Sequence, residues 1–282
     1  MKILSRATAH DGVEPLSEQF VRGLREESGH THHIVKRNGE VVALLSFDGA
    51  TAELVTDPAF RRQGLASSLF DEAGRPPVWA HGNLSEARGF AAAQGLEPTR
   101  RLLVMTLEGY ERSSEGAEAL LPAGFRITTA AEECDDEQWL RVNNEAFSWH
   151  PEQGGWNLED LHRARDTKWY DPAGVFFVWD GERLAGFHWT KRVPVVGGGA
   201  PGDGSAGESS RLTGEVYVIG VGDEYRGRGL GRALLTAGLD AMADDEAIEL
   251  YVEGDNDAAI NLYEQMGFVV SEEHVVYEDR TS

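Results

Sequence analysis

The chain has 282 residues, 41% hydrophobic and 26% charged, with 48 acidic side chains against 26 Lys and Arg and a formal net charge of −22. That length allows two domains of ordinary size, while so acidic a field repels nucleic-acid backbones and anionic lipid heads, so neither is expected as a partner. A single cysteine, Cys134, excludes an internal disulfide and a multi-cysteine metal site, and no window approaches the roughly 18 apolar residues of a membrane span.

From the amino terminus no signal-peptide pattern is seen, so a cytoplasmic monomer without metal is the expectation. LVTDPAFRRQGLASSLF (54–70) reads as an apolar strand, an acidic turn and an aromatic residue, then Arg-x-x-Gly-Leu-small entering a helix. ARGFAAAQGLE (87–97) is a short helix pattern stopped by Gly95 and followed by a strand. ERSSEGAEALLPAG (111–124) is rich in Ser, Glu, Gly and Pro and reads as a linker. Beyond it the pattern predicts a strand at 125–129, helices near 135–147 and 157–169, and strands at 175–179, 183–191 and 213–221. A helix at 229–243, a strand at 247–252, a helix at 256–265 and a final strand at 268–277 complete it. The Gly- and Ser-rich stretch 197–210 buries little apolar area and is expected as a mobile hairpin loop without chemistry.

IGVGDEYRGRGLGRALL (219–235) repeats the 54–70 pattern 165 residues later: Val221 answers Thr56, Arg226 answers Arg61, Gly229 answers Gly64 and Leu230 answers Leu65. AAINLYEQMGFV (259–270), stopped by Gly267, likewise repeats 87–97. Two related α/β domains follow, each a central mixed sheet flanked by helices, over 1–112 and 124–282, with 113–123 between them.

Amides at a helix N-terminus have no intrahelical partner and attract anions. Gly227, Gly229 and Gly231 let the backbone approach phosphate oxygens, Arg226 and Arg228 supply charge, and Arg232 assists around Leu230. The bland alternative is a glycine-eased turn with solvated arginines. Arg-x-x-Gly-x-Gly/Ala after a strand, followed by a helix and a distal Asn with YEQMGF, resembles the GNAT acetyltransferase superfamily. The resemblance implies two tandem GNAT-like domains and a loop that cradles the pyrophosphate of acetyl-coenzyme A.

Acetyl transfer to an amine needs a base, a stabilised oxyanion and a proton for the departing thiolate. Glu215, in GEVYVIGV, is the candidate base, directly or through water, and Tyr263, in NLYEQMGF, the candidate acid; an edge carboxylate and a core tyrosine are the plainer alternatives. Ile219, Gly220 and Val221 end the strand where it is expected to splay, the last two offering amides to the oxyanion. Asn256, Asp257, Ala258, Ala259, Ile260 and Asn261 open the next helix toward the cofactor, although GDNDAA also reads as an ordinary N-cap.

The first copy keeps a cradle, with Leu54, Val55 and Thr56 leading to Arg62, Gln63, Gly64, Leu65, Ala66 and Ser67. It has Ala50 and Ala91 where the second copy has Glu215 and Tyr263. It is therefore expected to be able to bind acetyl-coenzyme A without turning it over.

DGVEPLSEQ (11–19), LRVNNEAFSWHPEQGGW (140–156), GFHWTK (186–191) and YVEGDNDAAI (251–260) extend the resemblance to tandem GNAT enzymes that acetylate the cysteinyl amine of a cysteinyl-glucosaminyl-inositol to give mycothiol. Matched motif to motif, it implies Glu18, Glu152, Lys191, Glu215 and Tyr251 as substrate contacts, a helix-surface residue and a loop carboxylate being the plainer readings of Glu18 and Glu152. From the residues, Trp149, His150 and Trp156 are candidates to shape the pocket, although aromatic side chains in so apolar a segment are more often core. From the residues alone, another amine such as an aminoglycoside, or a non-catalytic acetyl-coenzyme A sensor, remains open.

Overall fold

The computed structural model describes residues 2–25, 29–148, 153–194 and 212–280. In chain order the elements are α1 (Lys2–Asp11), α2 (Glu18–Gly23), β1 (Thr31–Arg37), β2 (Glu40–Phe47), β3 (Ala52–Thr56), α3 (Leu65–Glu72), β4 (Val78–Ala80), α4 (Ser85–Gln94) and β5 (Leu96–Glu108). There follow β6 (Phe125–Thr129), α5 (Asp136–Ala146), α6 (Leu158–Arg165), β7 (Val175–Asp180), β8 (Arg183–Pro194) and β9 (Leu212–Val221). The last are α7 (Leu230–Ala241), β10 (Ala247–Glu253), α8 (Asp257–Gln265) and β11 (Val269–Asp279). Among the described residues no helix is long and apolar enough to cross a membrane. The 197–210 stretch lies outside the described residues.

Two compact units emerge: Met1–Val104 with Val252–Ile260 and Val270–Ser282, and Met105–Tyr251 with Asn261–Val269. This differs from a sequential split at 113–123, because the last strand returns to the first unit. There the strands run in the order β1-β2-β3-β4-β11. Val275, Val276 and Tyr277 of β11 pair antiparallel with Ala80, Trp79 and Val78. Val275 and Tyr277 are buried with Leu45, Leu69 and Phe70, and Asp279 accepts from Arg75 Nη2 at 2.6 Å. Burying these two side chains is worth about 3–6 kcal/mol, a large share of the stability of an ordinary domain. A chain ended at residue 112 is therefore expected to lack a cooperative thermal transition and to aggregate on size exclusion. A folded, monomeric 1–112 fragment would show that β11 is dispensable.

In the second unit the strand order is β10-β9-β8-β7-β6. Asp135 starts α5 by accepting from the amides of Glu137 and Gln138, and Asn157 with Asp160 forms a capping box for α6. Trp139 and Val142 of α5 enter a core with Phe177, Phe187 and Trp189. On α7, Leu230, Leu234, Leu235 and Leu239 are buried, fixing that helix against the sheet so that its first turn stays in place.

The parallel ladder between β9 and β10 runs from Thr213↔Ala247 to Val216↔Leu250 and stops, although β9 continues to Val221. The β8–β9 register shifts at the same level, pairing Trp189 with Val218 and Thr190 with Val216 so that Tyr217 is the extra residue. A bulge bends and twists its strand, which turns the rest of β9 away from β10 and opens a cleft. In the first unit β3 and β4 pair only at Ala52↔Val78 and Glu53↔Trp79, while β3 continues to Thr56.

Candidate active site

The two glycine loops share a backbone conformation. Gly227 and Gly229 have φ of 75° and 83°, and in the first unit Arg62 and Gly64 have 62° and 76°. Arg62 thus holds by the surrounding fold a left-handed conformation that costs an L-residue about 1–2 kcal/mol and that Gly227 adopts freely. Gly229 and Gly64 are the N-cap residues of α7 and α3, and neither has a side chain to bond the first amides. Those first amides therefore have no side-chain cap, the condition in which a helix N-terminus can take an anion.

The arginines divide their work. Arg226 pairs with Asp223 at 2.9 Å, both largely exposed, a contact weak enough for Arg226 to exchange it for a phosphate. Arg228 lies 5.3 Å over the Tyr225 ring and its Nη2 donates to the Glu224 carbonyl. Arg232, expected at the cofactor, is tied to Gln265 and Met266 beside α8. Gly220 also has a local reason: a Cβ there would lie 3.1 Å from Ala146 Cβ and Phe187 Cε1, a tight contact that a side chain could enter only if those neighbours gave way by a few tenths of an ångström.

Glu215 sits on β9 just before the ladder parts. Its Oε2 accepts from Lys191 Nζ at 2.8 Å, and Lys191 is its register partner on β8. The ammonium also lies 5.6 Å from the centroids of Trp169 and Tyr217, which hold it over the sheet. On β10, Glu249 is the register partner of Glu215. Side chains in register on adjacent strands share a face, so Lys191, Glu215 and Glu249 form one row, with Tyr251, half exposed, two residues further along β10 on the same side. Burial, and then the Glu215 charge, push the Glu249 carboxyl above its usual range.

Tyr263 lies on α8 and is 6% exposed, edge-on to Phe268 with ring centroids 5.9 Å apart. Burial pushes its phenol up to about 12, so it keeps its proton throughout the neutral range. Asn256 caps α8, its Oδ1 accepting from the Ala259 amide at 3.2 Å. The N-cap reading of GDNDAA therefore describes the Asn256 oxygen.

In the first unit a cavity of about 830 Å³ opens at the end of β3 and is lined by Thr56, Arg62, Gly64, Ser67, Trp79 and His81. Thr56 Oγ1 is buried there without a hydrogen-bond partner. His81 Nε2 is committed to Glu53 at 2.9 Å, a carboxylate 1% exposed that also accepts from the Ser17 amide. Arg61, answering Arg226, is bonded through both terminal nitrogens to Asp11 and holds that carboxyl low. Ala50 falls in the β2–β3 turn and Ala91 is buried on α4.

Of the expected substrate contacts, Lys191, Glu215 and Tyr251 share one face of the second unit's sheet. Glu18 is exposed in the first turn of α2 in the first unit, at the end capped by Ser17. Glu152, with Trp149 and His150, lies outside the described residues. Trp156 packs against the core around Trp139. Sequence reasoning missed Glu249: its alternation with Tyr251 in IELYV was visible, but its register against Glu215 was not.

Comparison with known proteins gives the family and the fold. Residues 138–268 match the Acetyltransferase (GNAT) family. The mycothiol acetyltransferase of Corynebacterium efficiens is 45% identical over 99% of this chain and 91% of its own length. That of Corynebacterium diphtheriae is 45% identical over 100% and 93%. Among solved structures, a GCN5-related N-acetyltransferase from Sphaerobacter thermophilus superimposes with a TM-score of 0.68 at 19% identity, covering 98% of this chain and 90% of that one. A tandem GNAT protein from the clavulanic acid biosynthesis pathway gives 0.56 at 19% identity, over 88% and 82%. These two show a common fold.

Proposed function

This chain belongs to the mycothiol acetyltransferase family, and from that premise we propose that it transfers acetyl from acetyl-coenzyme A to the cysteinyl amine of a cysteinyl-glucosaminyl-inositol, giving mycothiol and coenzyme A. The observation that carries the reading is the partly buried Lys191–Glu215 pair, set where β9 leaves β10 and leads into the Gly227–Gly231 loop.

The Gly227–Gly231 amides, with Arg226 and Arg228, hold the pyrophosphate, and the cleft beyond Val216 takes the pantetheine arm. Glu215 takes a proton from the incoming ammonium, directly or through water. The free amine attacks the thioester carbon, and the Val221 amide, on the edge of β9 that β10 has left, holds the oxyanion. As the C–S bond breaks, Tyr263 supports the leaving sulfur. Lys191 and Tyr251, on one face of the second unit's sheet, hold the acceptor. The first unit, with Ala50 and Ala91 in place of proton carriers, binds a second acetyl-coenzyme A in its 830 Å³ cavity without turnover.

A panel of amines tests this, followed by loss of thioester absorbance because the acceptor carries its own thiol. The cysteinyl-glucosaminyl-inositol is expected to exceed an aminoglycoside, spermidine and a peptide N-terminus in kcat/KM by at least about 10²-fold. Preference for the aminoglycoside would reassign the acceptor; turnover of none would favour a sensor.

A further inference from the structure

Lys191 provides one positive charge to a row holding two carboxylates. It is bonded to Glu215, and among the described residues no cation is paired with Glu249. The row therefore carries one uncompensated negative charge beside the candidate base. We propose that Glu249 completes, with Glu215, a two-carboxylate seat for the acceptor's ammonium, so that it is a specificity-determining and positioning residue for cationic amines.

The geometry supports this in two ways. Glu249 and Glu215 are direct partners on parallel strands one residue before the ladder ends at Val216↔Leu250, so both carboxylates stand at the rim of the cleft. The upward push on Glu249 comes from burial and from Glu215, the condition of two like charges with too little cation between them. An ammonium bound against both relieves that repulsion, whereas a neutral group does not. After the amine is acetylated, the amide is neutral and the seat loses its attraction, which favours release of product over substrate. Tyr251, on the same side of β10, is placed to contact the polyol part of the acceptor.

This inference rests on the reading of Glu215 as the amine-facing base, and its test separates the two. With the full-length chain, the affinities of the cationic amine and of its N-acetyl product are measured by calorimetry for wild type, Glu249→Gln and Glu249→Asp. If wild type does not acetylate the cysteinyl-glucosaminyl-inositol, the substrate assignment fails, and the comparison is made with the amine it does acetylate and the corresponding acetamide. Glu249→Gln is expected to weaken the amine about 10-fold and raise its KM to match, with kcat and product affinity within about 2-fold. Glu249→Asp, which keeps the charge, is expected to retain amine affinity within about 3-fold. Equal weakening of amine and neutral product, equal losses in the two variants, or no loss in Glu249→Gln overturns the seat.

Discussion

Glu215→Gln is expected to lower kcat/KM for the amine by about 10²- to 10⁴-fold at pH 7, the range spanned by a positioned general base. Glutamine has the same shape and its carbonyl can still accept from Lys191, so the row stays in place while losing the group that takes a proton. An α-amine with a pKa of about 7.7–8.0 is mostly ammonium at pH 7, and the variant must wait for the small free fraction. Its rate should therefore rise nearly tenfold per pH step until the amine titrates, and the gap to wild type should narrow above pH 8. Affinity for acetyl-coenzyme A should stay within about 2-fold, because the cradle is made of loop amides and arginines that do not touch Glu215. A loss that is the same at pH 6.5 and pH 9 would mean that Glu215 positions the amine and does not deprotonate it.

The parts of this site that could be read from the sequence are those encoded locally. Left-handed positions call for glycine, so Gly227 and Gly229 announced the loop, and Gly95 and Gly267 announced the helix ends, all with positive φ. Strand alternation in GEVYVIGV put Glu215 and Tyr217 on one face, which β9 preserves. What could not be read depends on which strands meet. The return of β11 to β4 joins residues almost 200 positions apart and is settled by the core around Leu69 and Phe70, not by any signal in 269–279. Glu249 faces Glu215 only because α7, docked through its leucines, fixes where β10 begins along β9. Arg62 shows the converse, a loop conformation whose expected glycine is missing and which the fold imposes anyway.

Tyr263→Phe is expected to lower kcat about 10²-fold with little change in acetyl-coenzyme A affinity, and the manner of the loss identifies what the phenol does. With its proton held to about pH 12 by burial, Tyr263 is a much weaker acid than a thiol of pKa about 8.5. Complete transfer of its proton to the thiolate is uphill by about 5 kcal/mol. Donating a hydrogen bond to the sulfur as charge develops carries no such penalty and becomes stronger as water is excluded. The proton that finally rests on coenzyme A can then come from the nitrogen of the collapsing intermediate or from solvent. On this account an aryl thioester, whose thiolate needs less support, should be used by Tyr263→Phe with a deficit of only a few-fold. The same burial has a consequence for stability. The folded phenol titrates above the free one, so its contribution is complete below about pH 10 and lost as pH climbs through 10 to 12; the phenylalanine variant should lack that alkaline loss. An equal deficit with acetyl-coenzyme A and the aryl thioester would remove Tyr263 from the leaving group and return it to the core beside Phe268.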